Sequence, residues 1–291
     1  MAGTTEPERH AAVVAVLGTG LVDAALPVVR ADDAGLTRGD GCFEGCRVRV
    51  GPDGVAAIDK LDAHLARMAR SAASLEIEFD KGAWGALISA ALASWAGPDE
   101  AAAKLLLTRG RPGGRPTGFV AIGPLPADYP RQRRDGLRVV ALARGTASDA
   151  FAEAPWLLGG VKSLSYAINM AAQREALRRG ADDALFVSAD GIVLEAPTGS
   201  VVWSVGRMLH TTPAGPTGIL AGTTQQLLFA RAESSGWQTA ATLATVDDLH
   251  AADVVWLVGS VRGPVDVVEL DGKPRARRAD VDAEVRRLAG F

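Results

Sequence analysis

The stretch PLPADYPRQRRDG, residues 124–136, is the best candidate in the chain for a linker between two domains. It carries three prolines and several charges and offers little to bury, which is how a linker reads. The 291 residues exceed the commonest single-core length, and 48% hydrophobic composition can fill two cores. Both halves mix strand and helix patterns. The expected fold class is therefore α+β or α/β in two domains. We expect a smaller N-terminal α/β domain over 1–124, a linker over 125–135 and a larger C-terminal domain over 136–291.

In the first half, residues 12–18 and 26–30 read as strands, and so does GCFEGCRVRVG, followed by a PDG turn and the strand VAAI. From Lys60 the period changes: Leu61, Leu65, Met68 and Ala72 recur at helical spacing. A second helix is expected over Trp84 to Trp95, then strands in AAKLLLTRG and FVAIGP. In the second half LRVVALA is a strand. ALFVSADGIVLEAP is a hairpin turning at Asp190–Gly191, and VVWSVGRMLHTTP is a second hairpin. TTQQLLFARAESSG is a helix ended by Gly236. ADVVWLVGS and DVVEL are strands, and a short amphipathic helix starts near Asp280.

Composition excludes several classes. A net charge of −3 without a long basic block argues against a nucleic-acid surface. No apolar run reaches the ~18 residues a membrane span needs. The polar first ten residues read as frayed, and AAVVAVLG, lacking a basic flank and a cleavage site, reads as a strand and not a leader. The two cysteines, Cys42 and Cys46, form no disulfide framework and suit a reducing, cytoplasmic compartment. With His10, His64, His210 and His250 scattered along the chain, the thiols read as small buried groups and no metal site is expected.

The segment VVAVLGTGLVDAA contains Gly18-Thr19-Gly20 but has Asp23 where a dinucleotide fingerprint needs its third glycine. A glycine turn between two strands accounts for it better. Lys162 is more informative. It follows two glycines, in GGVKSLSYAINM, within an otherwise uncharged run. It is either a solvated lysine at a helix start, where the dipole disfavours it, or a partly desolvated amine serving as a Schiff-base nucleophile. Glu195 lies in GIVLEAP between Leu194 and Ala196. Such a glutamate either faces water from an edge or has a partner, and a protonated ring nitrogen is one such partner. Thr223 and Thr224 follow Gly222 at a helix start. They either cap the helix or, with its free N–H groups, bind a phosphate. Arg67 could add a cation there, or lie on the surface.

These segments together resemble the class IV, or fold-type IV, pyridoxal-phosphate enzymes. RGDGCFEGCRV is similar to their G-D-G-x-F-E segment, and HLARMARSAASLEI to their H-x-x-R-x-x-x-S-A helix. The long stretch from GVKSLSYAINM to LEAPTGSVV resembles their signature with lysine, G-x-D-D-x-L, D-G and glutamate in order. TPAGPTGILAGTT and ADVVWLVGSVRGPVDVVELDG resemble the last two blocks, so the likeness runs over about residues 12–272 in unbroken order. It implies a two-domain fold with pyridoxal 5'-phosphate in the cleft between domains, and a homodimer. It implies that Lys162 carries the covalent link to the cofactor and shuttles a proton. Glu195 would pair with the pyridine nitrogen, and Arg67, Thr223, Thr224 and Ser260 would hold the phosphate.

Within the family, three activities compete: 4-amino-4-deoxychorismate lyase, D-amino-acid transaminase and branched-chain transaminase. D-amino-acid transaminases usually place R-x-H in the loop after the strand; here Arg115-Pro116-Thr117 stand there, without the histidine. The loop RGRPGGRP, GDGCF and the chain length resemble the lyases, although Glu44-Gly45 stands where some lyases carry threonines. The resemblance thus implies a lyase that releases pyruvate and 4-aminobenzoate, for folate synthesis. A substrate with two carboxylates needs cations, for which Arg109, Arg115 and Arg47 are the candidates.

Overall fold

The computed structural model describes residues 12–291, so the first ten residues, read as frayed, lie outside the described residues. The chain divides into two compact units, Met1–Pro126 and Ala127–Phe291.

The first unit contains β1 (Val13–Val16), β2 (Gly20–Val22), α1 (Ala34–Arg38), β3 (Gly41–Val50), β4 (Ala56–Ile58), α2 (Leu61–Ser74), α3 (Lys81–Ala93), β5 (Glu100–Thr108) and β6 (Thr117–Pro124). Its strands form one sheet in the order β2-β1-β6-β5-β3-β4, antiparallel throughout. Gly18-Thr19-Gly20 makes the turn of the β1–β2 hairpin: Val16 pairs with Gly20, and Gly18 (φ 75°) and Gly20 (φ 89°) take the left-handed backbone that such a turn requires. The strand expected over 26–30 does not form. Pro27 lacks a donor, and Leu26 is 61% exposed.

The long strand β3 sets the core. Alternation puts Cys42, Glu44, Cys46 and Val48 on one face, each 0% exposed, so a carboxylate is built into a wall of small apolar groups. Helix α2 covers that face with His64, Leu65, Arg67, Met68, Ser71 and Ala72, the side chains its 3.6-residue repeat brings to one side. At the other end of the unit Asp33 caps α1 by accepting from the Gly35 N–H (2.7 Å). It also accepts from the Thr108 and Thr117 hydroxyls (2.9 and 2.8 Å), tying α1 to the ends of β5 and β6.

The second unit contains α4 (Tyr129–Asp135), β7 (Leu137–Ala143), α5 (Ala167–Arg178), β8 (Asp183–Val187), β9 (Ser200–Val205), β10 (Met208–Thr211), α6 (Thr223–Glu233), β11 (Gln238–Ala241), α7 (Val246–Ala251), β12 (Val254–Gly259), β13 (Gly263–Leu270), β14 (Lys273–Pro274) and α8 (Ala279–Ala289). The sheet order is β11-β10-β9-β12-β13-β7-β8, with β14 beside β13. β7 and β8 are parallel, so the chain between them must cross over, and that crossover holds Lys162 and α5. Helices α6 and α8 pack in a cluster with β9, β10 and β12 around Leu228, Trp256 and Leu288.

Two expectations about this unit need correction. The stretch expected as a linker over 125–135 is helical from Tyr129. Pro130 suits a first turn, Gln132 is buried, and Arg133 donates to the carbonyls of Val261 and Arg262 (2.7 and 2.8 Å). The Asp190–Gly191 hairpin forms, with Gly191 at φ 87°, but its second arm is not a continuous strand. Leu194 and Glu195 exchange backbone bonds with Phe186. Pairing then stops near Pro197, which has no N–H to give.

Candidate active site

Lys162 is half-buried and lies in a loop, five residues before α5 begins; the helix-start position expected for it is not where the chain puts it. Both preceding glycines have a steric reason. A Cβ on Gly159 would meet the Phe151 ring at 2.8 Å, and Gly160 sits at φ 74°. The Gly160 N–H donates to the Gly218 carbonyl (3.0 Å), and Gly218 itself presses on the other side of Phe151. The Lys162 Nζ lies 3.4 Å from the Tyr166 hydroxyl and 5.4 Å from the centre of its ring.

The strand of chain after Gly218 reaches the other expected groups. Two residues on, the Leu220 N–H donates to Glu195 Oε2 (3.1 Å). Glu195 is half-buried while its neighbours Leu194 and Ala196 are buried, and this backbone N–H is a partner it has. Two residues further, Gly222 opens α6 without a side-chain cap. Thr223 and Thr224, both buried, point their hydroxyls at one atom: Ser260 Oγ lies 2.9 Å from Thr223 Oγ1 and 3.1 Å from Thr224 Oγ1. The run 216–224 thus binds the lysine loop, the glutamate and the three hydroxyls into one arrangement.

Three hydroxyls at an uncapped helix N-terminus are a donor set for a phosphate. A carboxylate fixed by a backbone N–H suits a protonated ring nitrogen, and a half-buried amine suits a carbonyl carbon. These are the three ends of pyridoxal phosphate, and the residues fit it.

In the first unit Arg67 is buried and not on the surface. Its Nε and Nη2 donate to the two oxygens of Glu44, each at 2.7 Å. His64 Nδ1 lies 2.7 Å from Glu44 Oε2. Burial would raise the Glu44 pKa, but the hydrogen bonds from Arg67 and His64 outweigh it and hold it down to about 2. Burial also lowers the His64 pKa, against the opposing pull of Glu44. Sequence reasoning missed Glu44 and His64 as a pair with Arg67. The signal available was the one used for Glu195, an isolated carboxylate in an apolar strand. His64, isolated along the chain, is close in space to Cys46, and Glu44, Cys46 and His64 offer atoms within 4.8 Å of one another. A cation there would meet the Arg67 guanidinium already seated on both carboxylate oxygens. Both thiols are buried and neither is in a disulfide, and burial pushes the Cys42 thiol up to about 12.

The three arginines expected to meet substrate separate clearly. Arg47 is buried and forked onto Asp59 (2.7 and 2.6 Å), with Glu100 at 3.6 Å. Arg109 is partly exposed and paired. It donates from Nε and Nη2 to Asp40, and onward to the carbonyls of Leu75 (2.6 Å) and Glu76 (3.4 Å), which makes it a brace for the loop. Arg115 is exposed on the turn that Gly110 closes; a Cβ at Gly110 would stand 2.1 Å from the Arg115 carbonyl oxygen.

The family profile of amino-transferase class IV matches residues 41–270. A bifunctional aminodeoxychorismate lyase / D-amino acid transaminase from Mycobacterium tuberculosis is 39% identical over 285 residues, spanning 94% of this chain and 97% of that one. A hypothetical aminotransferase from the same organism, in its pyridoxal-phosphate-bound form, superposes with a TM-score of 0.89 at 38% identity, covering 95% of this chain and 98% of that one. The fold IV transaminase CpuTA1 from Curtobacterium pusillum gives 0.88 at 39% identity, covering 96% and 99%. This chain belongs to the class IV aminotransferase family and has the type IV fold. It is an enzyme, and pyridoxal phosphate is its cofactor. Among the described residues no helix is long and apolar enough to cross a membrane.

Proposed function

We propose that the chain is a 4-amino-4-deoxychorismate lyase that also transaminates D-amino acids at the same site. The observation that carries the catalytic half is the 216–224 run, which holds the Lys162 loop, Glu195 and the Thr223–Thr224–Ser260 hydroxyls together.

Bound there, pyridoxal phosphate supplies a carbonyl that condenses with the substrate amine and a ring that takes up the electrons of the breaking bond. Thr223, Thr224 and Ser260 would hold the phosphate at the start of α6. Glu195 keeps a proton on the ring nitrogen, and Leu220 keeps Glu195 in place. Lys162 would anchor the cofactor and take the proton from the substrate carbon. In the lyase reaction pyruvate then leaves and the remaining ring becomes aromatic 4-aminobenzoate. In transamination the same lysine would carry the proton.

Two observations support the choice. The loop after β5 carries Arg115-Pro116-Thr117 and lacks the histidine of typical D-amino-acid transaminases, which favours lysis of a substrate with two carboxylates. The bifunctional relative at 39% identity favours transamination as a second activity. Arg115 is the cation assigned to a substrate carboxylate. A cytoplasmic homodimer belongs to this reading. Trp156, 75% exposed, and Ile168, 61% exposed, flank the lysine loop and are the apolar groups such a dimer would cover.

The deciding experiment supplies cofactor-loaded protein with 4-amino-4-deoxychorismate and follows 4-aminobenzoate and pyruvate together. Equal appearance of both, lost in Lys162→Ala, is expected. Failure to form either, with D-alanine and 2-oxoglutarate still turned over, would leave the transaminase alone. Light scattering on the same sample reads the dimer.

A further inference from the structure

Helix α6 packs on its sheet tightly at one end and loosely at the other. Toward the C-terminal end, Leu228 and Ala232 pack with Val202, Leu209 and Trp256, all buried. At the N-terminal end the alternation of the strands turns Ser200, Thr211 and Ala241 to the same face as Val202 and Leu209. Across from them α6 presents Gln225 and Phe229, one turn apart. Small and polar residues thus stand on the strands where a helix and a sheet ordinarily meet through larger apolar ones. They leave a cavity of about 250 Å³. That is room for roughly eight waters at about 30 Å³ each, whereas packed interiors hold few voids larger than one.

The lining decides what can occupy this space. No lining side chain is charged, so an ion would lose its hydration without gaining a counter-charge. Thr211 and Thr212 spend their hydroxyl protons on the carbonyls of Val201 (2.7 Å) and Val193 (3.0 Å), so they offer an occupant only oxygen lone pairs. Ser200 is 5% exposed, yet its hydroxyl has no hydrogen-bond partner among the described residues. The half-buried Gln225 amide has none either. The cavity therefore presents two acceptors, an unspent hydroxyl and an unspent amide beside the Phe229 ring. A matching molecule carries donors and an acceptor, no charge and an apolar body. A primary carboxamide on a ring-sized body has all of these.

We propose that the gap between the start of α6 and strands β9, β10 and β11 is a binding site for a small neutral carboxamide. Lys162, Glu195, Thr223, Thr224 and Ser260 do not line it, so it is separate from the cofactor residues. Leu220, whose N–H holds Glu195, does line it. An occupant therefore bears on the segment that positions Glu195.

The test titrates benzamide into the cofactor-loaded protein by calorimetry. Binding should saturate in the millimolar range, as a molecule of that size allows. Ala241→Phe, which sets a ring in the mouth of the cavity, should weaken it about 10-fold or more. Ser200→Ala removes a hydroxyl without costing the protein a hydrogen bond, and should weaken it about 3- to 10-fold. Toluene, of similar shape without the amide, should not respond to Ser200→Ala. Both variants should keep the cofactor absorbance of the natural chain, which separates loss of the cavity from misfolding. Heat that never saturates, or equal affinity in the natural chain and Ala241→Phe, overturns the site. An affinity that Ser200→Ala leaves unchanged overturns the carboxamide as its ligand.

Discussion

The backbone N–H of Leu220 donates to Glu195 Oε2 over 3.1 Å, across 25 residues of chain. The carboxylate proposed to meet the cofactor is thus oriented by a group no side-chain substitution at residue 220 can remove, other than proline. We expect Glu195→Gln to retain the cofactor and to lower kcat by about 10²- to 10³-fold, as loss of one aimed electrostatic contact does. Stopped-flow turnover beside the absorbance of bound cofactor checks this. An unaltered rate would contradict the role given to Glu195.

Arg115 and Arg109 should behave differently although they lie six residues apart in one loop. Arg115→Ala should raise KM for 4-amino-4-deoxychorismate by about 10- to 100-fold, with stability little changed, because an exposed side chain is removed. Arg109→Ala should lower the urea midpoint, because Asp40 and the carbonyls of Leu75 and Glu76 lose their donor. Steady-state kinetics and urea unfolding on the two variants separate the roles. The proposal for Arg115 fails if its KM is unchanged.

A Cβ at Gly222 would stand 2.4 Å from Ser200 Oγ. We expect Gly222→Ala to weaken cofactor retention by displacing the start of α6, and Ser200→Gly in the same chain to restore much of it. Dialysis followed by the residual cofactor absorbance measures both. An additive loss in the double variant would rule out the steric cause.

Acid should act on the first unit in two stages. His64 has a pKa below its ordinary 6.5, from burial, so its contribution to stability is present above pH 6.5 and is lost as pH falls below it. Glu44 is held at about 2 against an ordinary 4.5, so its contribution, on the order of 3 kcal/mol, is present above pH 4.5 and is lost as pH falls toward 2. The stability gap between the natural chain and Glu44→Gln should therefore narrow between pH 5 and pH 3 in urea titrations. A constant gap would mean that Glu44 is not held ionised.

Much of this was legible because periodicity and local turn chemistry reflect short-range physics. The face of α2, the Gly18–Gly20 turn and the strand β3 follow from spacing alone. Lys162 and Glu195 stood out as lone charges in apolar runs. What was not legible depends on partners distant in sequence. The acidic partners of Arg47 and Arg109, Asp59 and Asp40, could not be read from spacing. The helix α4 hides in a stretch rich in proline and charge because its Arg133 is held by carbonyls near residue 261. His64 looked solitary because Glu44 lies 20 residues before it.

The concentration of contacts in 216–224 also has a bearing on how such an enzyme diversifies. A substitution in that run disturbs the lysine loop, the glutamate and the hydroxyl set at once, so drift there is nearly closed. The turn from Gly110 to Arg115 is fastened at its ends, with Gly110 accepting from the Ala34 N–H, while its tip projects outward. On the proposed roles, chemistry and choice of substrate would reside in different pieces of chain, and an engineer wishing to retarget the catalyst should randomise 111–114 and leave 216–224 alone.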